Sequence, residues 1–155
     1  MLKEGTKAPA FSVPDQDGKE RSLTDYKGKW ILIYFYPKDM TPGCTKEACT
    51  IRDVYGEFEA AGIEVLGVSK DSVAKHQKFI EKESLPFTLL ADESTDMIQA
   101  YEAWAEKSMF GKKYMGILRI SYLIDPEGVI RKVYPKVKPA AHADEVLNDQ
   151  KELTA

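Results

Sequence analysis

The chain has 155 residues, a formal net charge of −3 and 43% hydrophobic residues. That length predicts one domain over 1–155 with enough apolar content for a full core. The weakly acidic balance excludes a nucleic-acid or anionic-membrane surface as the main business of the chain, and the longest apolar run, seven residues from Trp30 to Tyr36, cannot span a bilayer. The opening MLKEGTKAPAF carries no apolar signal region, so a cytoplasmic protein is expected.

In chain order, Phe11–Val13 and the turn Asp15-Gln-Asp-Gly18 predict an N-terminal hairpin, and Ser22-Leu-Thr-Asp-Tyr26 a short capped turn. Trp30–Tyr36, continuous and rich in β-formers, predicts a buried strand ended by Pro37. Thr41 as N-cap and Pro42 at the first helical position start a helix that runs to Gly62. Ile63–Ser69 is the next strand, Ser72–Glu83 a more polar helix, Phe87–Ala91 a short strand and Thr95–Tyr101 a helix. Glu102–Gly116 is poorly periodic and reads as a loop carrying Trp104 and Phe110. Arg119–Ile124, the turn Asp125-Pro-Glu-Gly128 and Val129–Tyr134 make a hairpin, and Ala141–Leu153 a charged amphipathic helix. This order predicts an α/β fold, a central mixed sheet with helices on both faces.

Chemistry is concentrated in Trp30–Asp53, which holds the only two cysteines. Cys44, Ala48, Ile51, Tyr55 and Phe58 recur at helical spacing and form one core-facing stripe, so Cys44 lies at the buried edge of the first helical turn. The free N–H groups and dipole of a helix start favour its thiolate; burial and Glu47, one turn on, oppose it unless a cation intervenes. Cys49 lies about 140° further round, its Cα about 8.6 Å away, beyond the roughly 7 Å reach of a disulfide. Either the two never pair, or the first turns unwind when they do. A buried core cysteine and an incidental second thiol fit the same pattern. Arg119 is either a strand-end ion pair or the cation that offsets Glu47; Arg52, two turns from Cys44, is expected to pair at the surface. His76 and His142 sit on polar faces and are expected to be solvated. Two cysteines and two histidines at these spacings match no zinc pattern, and no phosphate loop or serine elbow occurs.

Pro37-Lys-Asp-Met-Thr41-Pro-Gly-Cys44 resembles the P-x-x-x-T-x-x-C active-site motif of peroxiredoxins, and Thr45-Lys-Glu47-Ala-Cys49 is similar to the peroxiredoxin Q class, also called bacterioferritin comigratory proteins. The likeness extends to Gly5–Phe11, Trp104-Ala-Glu-Lys-Ser, Arg119–Asp125 and Lys136–His142. The resemblance implies a thioredoxin-like fold with an N-terminal hairpin extension. It also implies reduction of hydrogen peroxide and organic hydroperoxides without metal, flavin or other cofactor. By position it makes Cys44 the peroxidatic and Cys49 the resolving cysteine. Thr41 and Arg119 bind peroxide, Pro37 shields the pocket, Glu47 orients the arginine, Gly43 eases opening of the helix start, and Trp104 supports the pocket. Thioredoxin or a glutaredoxin-like dithiol protein is the implied reductant, and a monomer or weak homodimer the implied state. The sequence departs from the family at Glu102-Ala-Trp104, where relatives often have Gly-Val-Trp. A disulfide oxidoreductase is the nearest rival, but it would present C-x-x-C where this chain has four residues between its cysteines; a binding module with two inert thiols is the other.

Overall fold

The computed structural model describes residues 1–155. Its strands are β1 (Ser12–Pro14), β2 (Glu20–Ser22), β3 (Trp30–Phe35), β4 (Ile63–Ser69), β5 (Thr88–Ala91), β6 (Trp104–Met109), β7 (Lys112–Ile117), β8 (Ser121–Ile124) and β9 (Ile130–Tyr134). Its helices are α1 (Pro42–Asp53), α2 (Tyr55–Ala60), α3 (Val73–Glu83), α4 (Asp96–Ala100) and α5 (His142–Thr154). Five strands form the central sheet in the order β5-β4-β3-β8-β9. β3 runs parallel to β4 and β4 to β5, while β8 is antiparallel to β3 and to β9. The expected mixed sheet and N-terminal hairpin are both present, the latter as the β1–β2 pair.

Alternation along β3 divides the core. Ile31, Ile33 and Phe35 face one layer with Leu66, Val68, Tyr101 and Tyr122, under the N-terminal segment and α4. Leu32, Tyr34 and Tyr36 face the other, with Val65, Leu89 and the apolar stripes of α1, α2, α3 and α5. Gly67 makes this second layer fit: a Cβ there would lie 2.9 Å from the Tyr34 ring and 2.7 Å from Leu89. Each large side chain buried in these layers contributes roughly 1.5–3 kcal/mol.

Four expectations are corrected. The long helix to Gly62 is two helices broken at Val54, although Cys44, Ala48, Ile51 and Phe58 stay buried on one face. The strand expected from Arg119 begins at Ser121, so Arg119 lies in the approach to β8. The segment read as a loop is the β6–β7 hairpin, with Phe110 and Gly111 both at positive φ in a two-residue turn. Charged residues interrupt both strands, Glu106 and Lys107 opposite Met115 and Tyr114, and Lys112 and Lys113 opposite Met109 and Ser108, which hides the strand period. The two histidines are buried, not solvated: His76 is 0% and His142 1% exposed. His76 shares a stripe with Phe79 at i+3, and His142 with Val146 at i+4, so each rides the core face of its helix.

At the family departure, Glu102 has φ 56°, a backbone region that favours glycine, and its carboxylate pairs with the N-terminal ammonium at 3.1 Å.

Candidate active site

β3 delivers the chain to the carboxyl edge of the sheet, where Pro37 ends pairing and the segment Pro37–Thr41 turns into α1. Thr41 has the extended backbone of an N-cap (φ −88°, ψ 154°), but its hydroxyl does not cap. It donates instead to the Lys38 carbonyl at 2.8 Å. The first intrahelical bond is Thr45 N–H to Thr41 O, 2.8 Å. Pro42 has no N–H, so the amides of Gly43 and Cys44 are the orphan donors of this helix start, and no side chain satisfies them. Met40, just before the cap, is held at φ 61°, a strain on the order of 1 kcal/mol for a residue with a Cβ.

Cys44 is a free thiol and 2% exposed. Arg119 reaches it from the approach to β8: Nη2 donates to Sγ at 3.3 Å while Nη1 donates to Glu47 Oε1 at 2.7 Å. One planar guanidinium thus bridges the sulfur and the carboxylate one turn further along α1. Of the two readings open for Arg119, the structure has the ion pair and the sulfur contact together. Gly43 makes room for this fork, since a Cβ there would sit 3.1 Å from Nη2. Burial opposes the charge on Arg119, but the contacts with Cys44 and Glu47 outweigh it and hold its pKa above the ordinary value.

Glu47 is 0% exposed and its Oε2 has no partner. Burial pushes its carboxyl up to about 7, with the Arg119 ion pair pulling the other way. Because the folded carboxyl holds its proton more tightly than the unfolded one, the stability it contributes is complete below pH 4.5 and is lost as pH rises through about 7. Glu47→Gln, neutral and isosteric, should therefore flatten the stability profile between pH 4.5 and 7 by up to roughly 3 kcal/mol. Urea midpoints measured across that window check this; an unchanged slope counts against it.

Cys49 is half-buried on a different face of α1, its Sγ donating to Glu83 Oε2 of α3 at 3.4 Å. Burial and that hydrogen bond both push its thiol pKa up. Arg52 pairs with Asp53 and with the Glu83 carbonyl, away from Cys44, as expected. Trp104 packs against the core layer opposite Cys44, with Lys70 Nζ 5.7 Å from its ring centroid. Sequence reasoning missed Lys107. It belongs to the hairpin segment read as a loop, and its stem lies where a Cβ on Gly116 would meet it at 3.1 Å; burial lowers its ammonium pKa, Arg119 adding to that and Cys44 opposing it.

A buried thiol, a cation on its sulfur, and unsatisfied amides at the start of the same helix make a site for nucleophilic attack on an oxygen-rich electrophile. Comparison with known proteins agrees. The AhpC/TSA family model matches residues 5–133, and the chain belongs to that family: it is a peroxiredoxin, a thiol peroxidase that reduces peroxides. It is 53% identical over 146 residues to a putative peroxiredoxin bcp of Coxiella burnetii, covering 94% of this chain and 97% of that one. To peroxiredoxin Bcp of Escherichia coli strain K12 it is 52% identical over 151 residues, covering 97% of each. Among solved structures, the bacterioferritin comigratory protein of Xanthomonas campestris superposes with TM-score 0.89 at 39% identity, covering 94% of this chain and 92% of that one. The peroxiredoxin Q of Xylella fastidiosa gives 0.94 at 32%, covering 100% and 99%. These relatives place it in the Bcp/peroxiredoxin Q branch, and the thioredoxin-like fold expected from the sequence is the fold observed. No helix is long and apolar enough to cross a membrane.

Proposed function

We propose that Cys44 is the peroxidatic and Cys49 the resolving cysteine of a cycle that passes through an intramolecular disulfide and ends on a dithiol protein. The observation that carries this reading is the guanidinium of Arg119 lying on the Cys44 sulfur beside two unsatisfied amides. The Cys44 thiolate attacks the hydroxyl-bearing oxygen of ROOH. An S–O bond forms, the O–O bond breaks, and RO⁻ leaves and takes a proton to become ROH. Cys44 is left as a sulfenic acid. Arg119 and the Gly43 and Cys44 amides donate to the oxygens as charge develops. The Thr41 hydroxyl already donates to Lys38 O, so Thr41 acts by accepting a hydrogen bond from the peroxide O–H rather than by donating one, a refinement of the role expected from sequence. Pro37 shields the mouth.

Resolution needs α1 to open. While α1 is folded, Cys49 points at Glu83 and its raised pKa keeps it protonated, so it is a poor nucleophile. Unwinding of the first turns, started at Pro42 and Gly43, frees it. Its sulfur displaces water from the sulfenic acid and closes the Cys44–Cys49 bond. Thioredoxin or a glutaredoxin-like dithiol then restores both thiols by exchange. Hydroperoxide is the substrate, with no metal or other cofactor, and the protein works as a monomer or weak homodimer in the cytoplasm.

One equivalent of hydrogen peroxide should consume two thiols per chain, and peptide mapping should recover a Cys44–Cys49 linked peptide. Thiols still fully titratable after that treatment would refute the cycle. Arg119→Met should slow the peroxide step about a hundredfold, the scale of losing one preorganised charged donor. It should also move the pH profile of Cys44 alkylation upward. Stopped-flow oxidation and iodoacetamide kinetics read the two effects separately; an unmoved alkylation profile would remove Arg119 from the thiolate's support.

A further inference from the structure

The segment Pro37–Thr41 is tied to the rest of the fold by a side-chain cluster that the cycle above does not use. The ring of His76, on α3, lies between two acceptors. Its Nε2 is 2.9 Å from the Leu90 carbonyl of β5, and its Nδ1 is 2.6 Å from Asp39 Oδ2. A carbonyl oxygen can only accept, so Nε2 carries a hydrogen. At 2.6 Å, Nδ1 and Oδ2 cannot face each other with two lone pairs; a proton lies between them.

Asp39 is tied at two further points. Tyr36 donates its hydroxyl to Oδ1, and the Asp39 N–H donates to Asp71 Oδ2 at 2.8 Å, an oxygen that also accepts from Ser69 at 2.8 Å. His76 and Ser69 are 0% exposed, Tyr36 1%, Asp39 6% and Asp71 7%. Ionisable groups around the cluster include Tyr34, whose ring centroid is 5.5 Å from that of Tyr36, Lys75, 4.0 Å from Asp71 Oδ1, and Lys38, Lys70 and Glu93, which line one pocket with Asp71. With both carboxylate oxygens and its amide fixed, Asp39 sets the backbone immediately before Met40. A strained residue of that kind persists only where its surroundings over-determine it. Directly after Met40 stands Thr41, whose hydroxyl is returned to Lys38 O within the same turn, and three and four residues after Met40 come the amides of Gly43 and Cys44.

We infer that Asp39 and His76 form a proton-bridged clasp that positions the Pro37–Thr41 turn, and with it the groups that receive the peroxide oxygens. His76 and Asp39 are positioning residues: neither touches the sulfur. The inference rests on the role given above to this turn and Cys44, and it predicts a division between two reactions of the same thiol. Peroxide attack needs the oxygens oriented, whereas alkylation by iodoacetamide needs only the sulfur.

His76→Leu should slow the peroxide step at least tenfold while changing the alkylation rate less than twofold. Asp39→Asn is the conservative rescue. Its amide can donate to a neutral Nδ1 and its carbonyl can accept from Tyr36, so the turn keeps its geometry without the extra proton, and the peroxide rate should stay within threefold of the parent. Nitrogen NMR of the imidazole supplies a readout that does not depend on either rate. Nε2 of His76 should carry a hydrogen in both chains, whereas Nδ1 should share a proton with Asp39 in the parent and stand as a bare acceptor in Asp39→Asn. A bare Nδ1 in the parent overturns the clasp. So does a peroxide rate within twofold of the parent in His76→Leu, an equal fall in both reactions, or an Asp39→Asn as impaired as His76→Leu. If His76→Leu does not fold, the NMR states and the Asp39→Asn rates decide. Failure of the cycle itself would show differently, as a parent chain whose Cys44 alkylates but does not react with peroxide.

Discussion

Cys44→Ser should consume no peroxide above the buffer blank, a loss of more than a thousandfold, while folding normally. The exchange removes one sulfur and little else. The Arg119–Glu47 ion pair at 2.7 Å stands without it, and Ala48 and Ile51 keep the helix on the sheet. The serine hydroxyl fills nearly the same space and can accept from Nη2, so the guanidinium stays in place. What disappears is the nucleophile. A thiol of ordinary acidity is already a few per cent ionised near pH 7, whereas a serine hydroxyl has no hydrogen-bonded base here: the guanidinium is a donor, and the Glu47 carboxyl is held on that guanidinium through Oε1 and makes no hydrogen bond to position 44. Pocket, cation and amides without an ionised sulfur bind oxygens but break no O–O bond. A peroxide electrode trace with thioredoxin and its reductase, beside a thermal melt within about 2 °C of the parent, checks both halves. Turnover above blank in a folded Cys44→Ser would move the chemistry off Cys44 altogether.

The parts of this site that were legible in the sequence are those fixed by local spacing. Pro37, Thr41, Pro42 and Cys44 lie within eight residues, and the strand-to-helix transition that places them follows from an apolar run, a cap and a proline. The 4-and-3 recurrence from Cys44 to Phe58 identified the buried face even though Val54 breaks the helix. Glu47 and Arg119 are 72 positions apart, and their meeting depends on β8 pairing with β3, which no local pattern encodes. It was reached through charge logic, a buried carboxylate beside a thiolate needing a cation, and through family likeness. The two histidines are illegible from polarity alone, because each rides the apolar stripe of its helix. His76 has Phe79 and Ile80 at i+3 and i+4, the same spacing that marks Cys44 as buried. The β6–β7 hairpin escaped because its exposed strands carry charges on both faces and only their base, Trp104 and Ile117, joins the core.

Cys49→Ser should undergo one oxidation and then stall. Serine keeps a hydroxyl to donate to Glu83, so the contact of α1 with α3 survives and the peroxide step should match the parent within about twofold. Resolution is what fails. In the folded helix the Cα separation of about 8.6 Å already keeps position 49 out of reach. Opening the first two turns forfeits about five backbone bonds at roughly 1 kcal/mol each, so the open form is rare even in the parent. When it does form in Cys49→Ser, it presents a hydroxyl that cannot displace water from the sulfenic acid at a useful rate. The variant should therefore accumulate Cys44 one oxygen heavier, seen by intact-mass spectrometry after a single equivalent of peroxide, and excess peroxide should drive it on to the sulfinic acid. Steady-state consumption coupled to thioredoxin or a glutaredoxin-like protein should fall to background after the first turnover. Sustained coupled turnover would mean that the external dithiol attacks the sulfenic acid directly, and would strip Cys49 of the resolving role while leaving Cys44 in place.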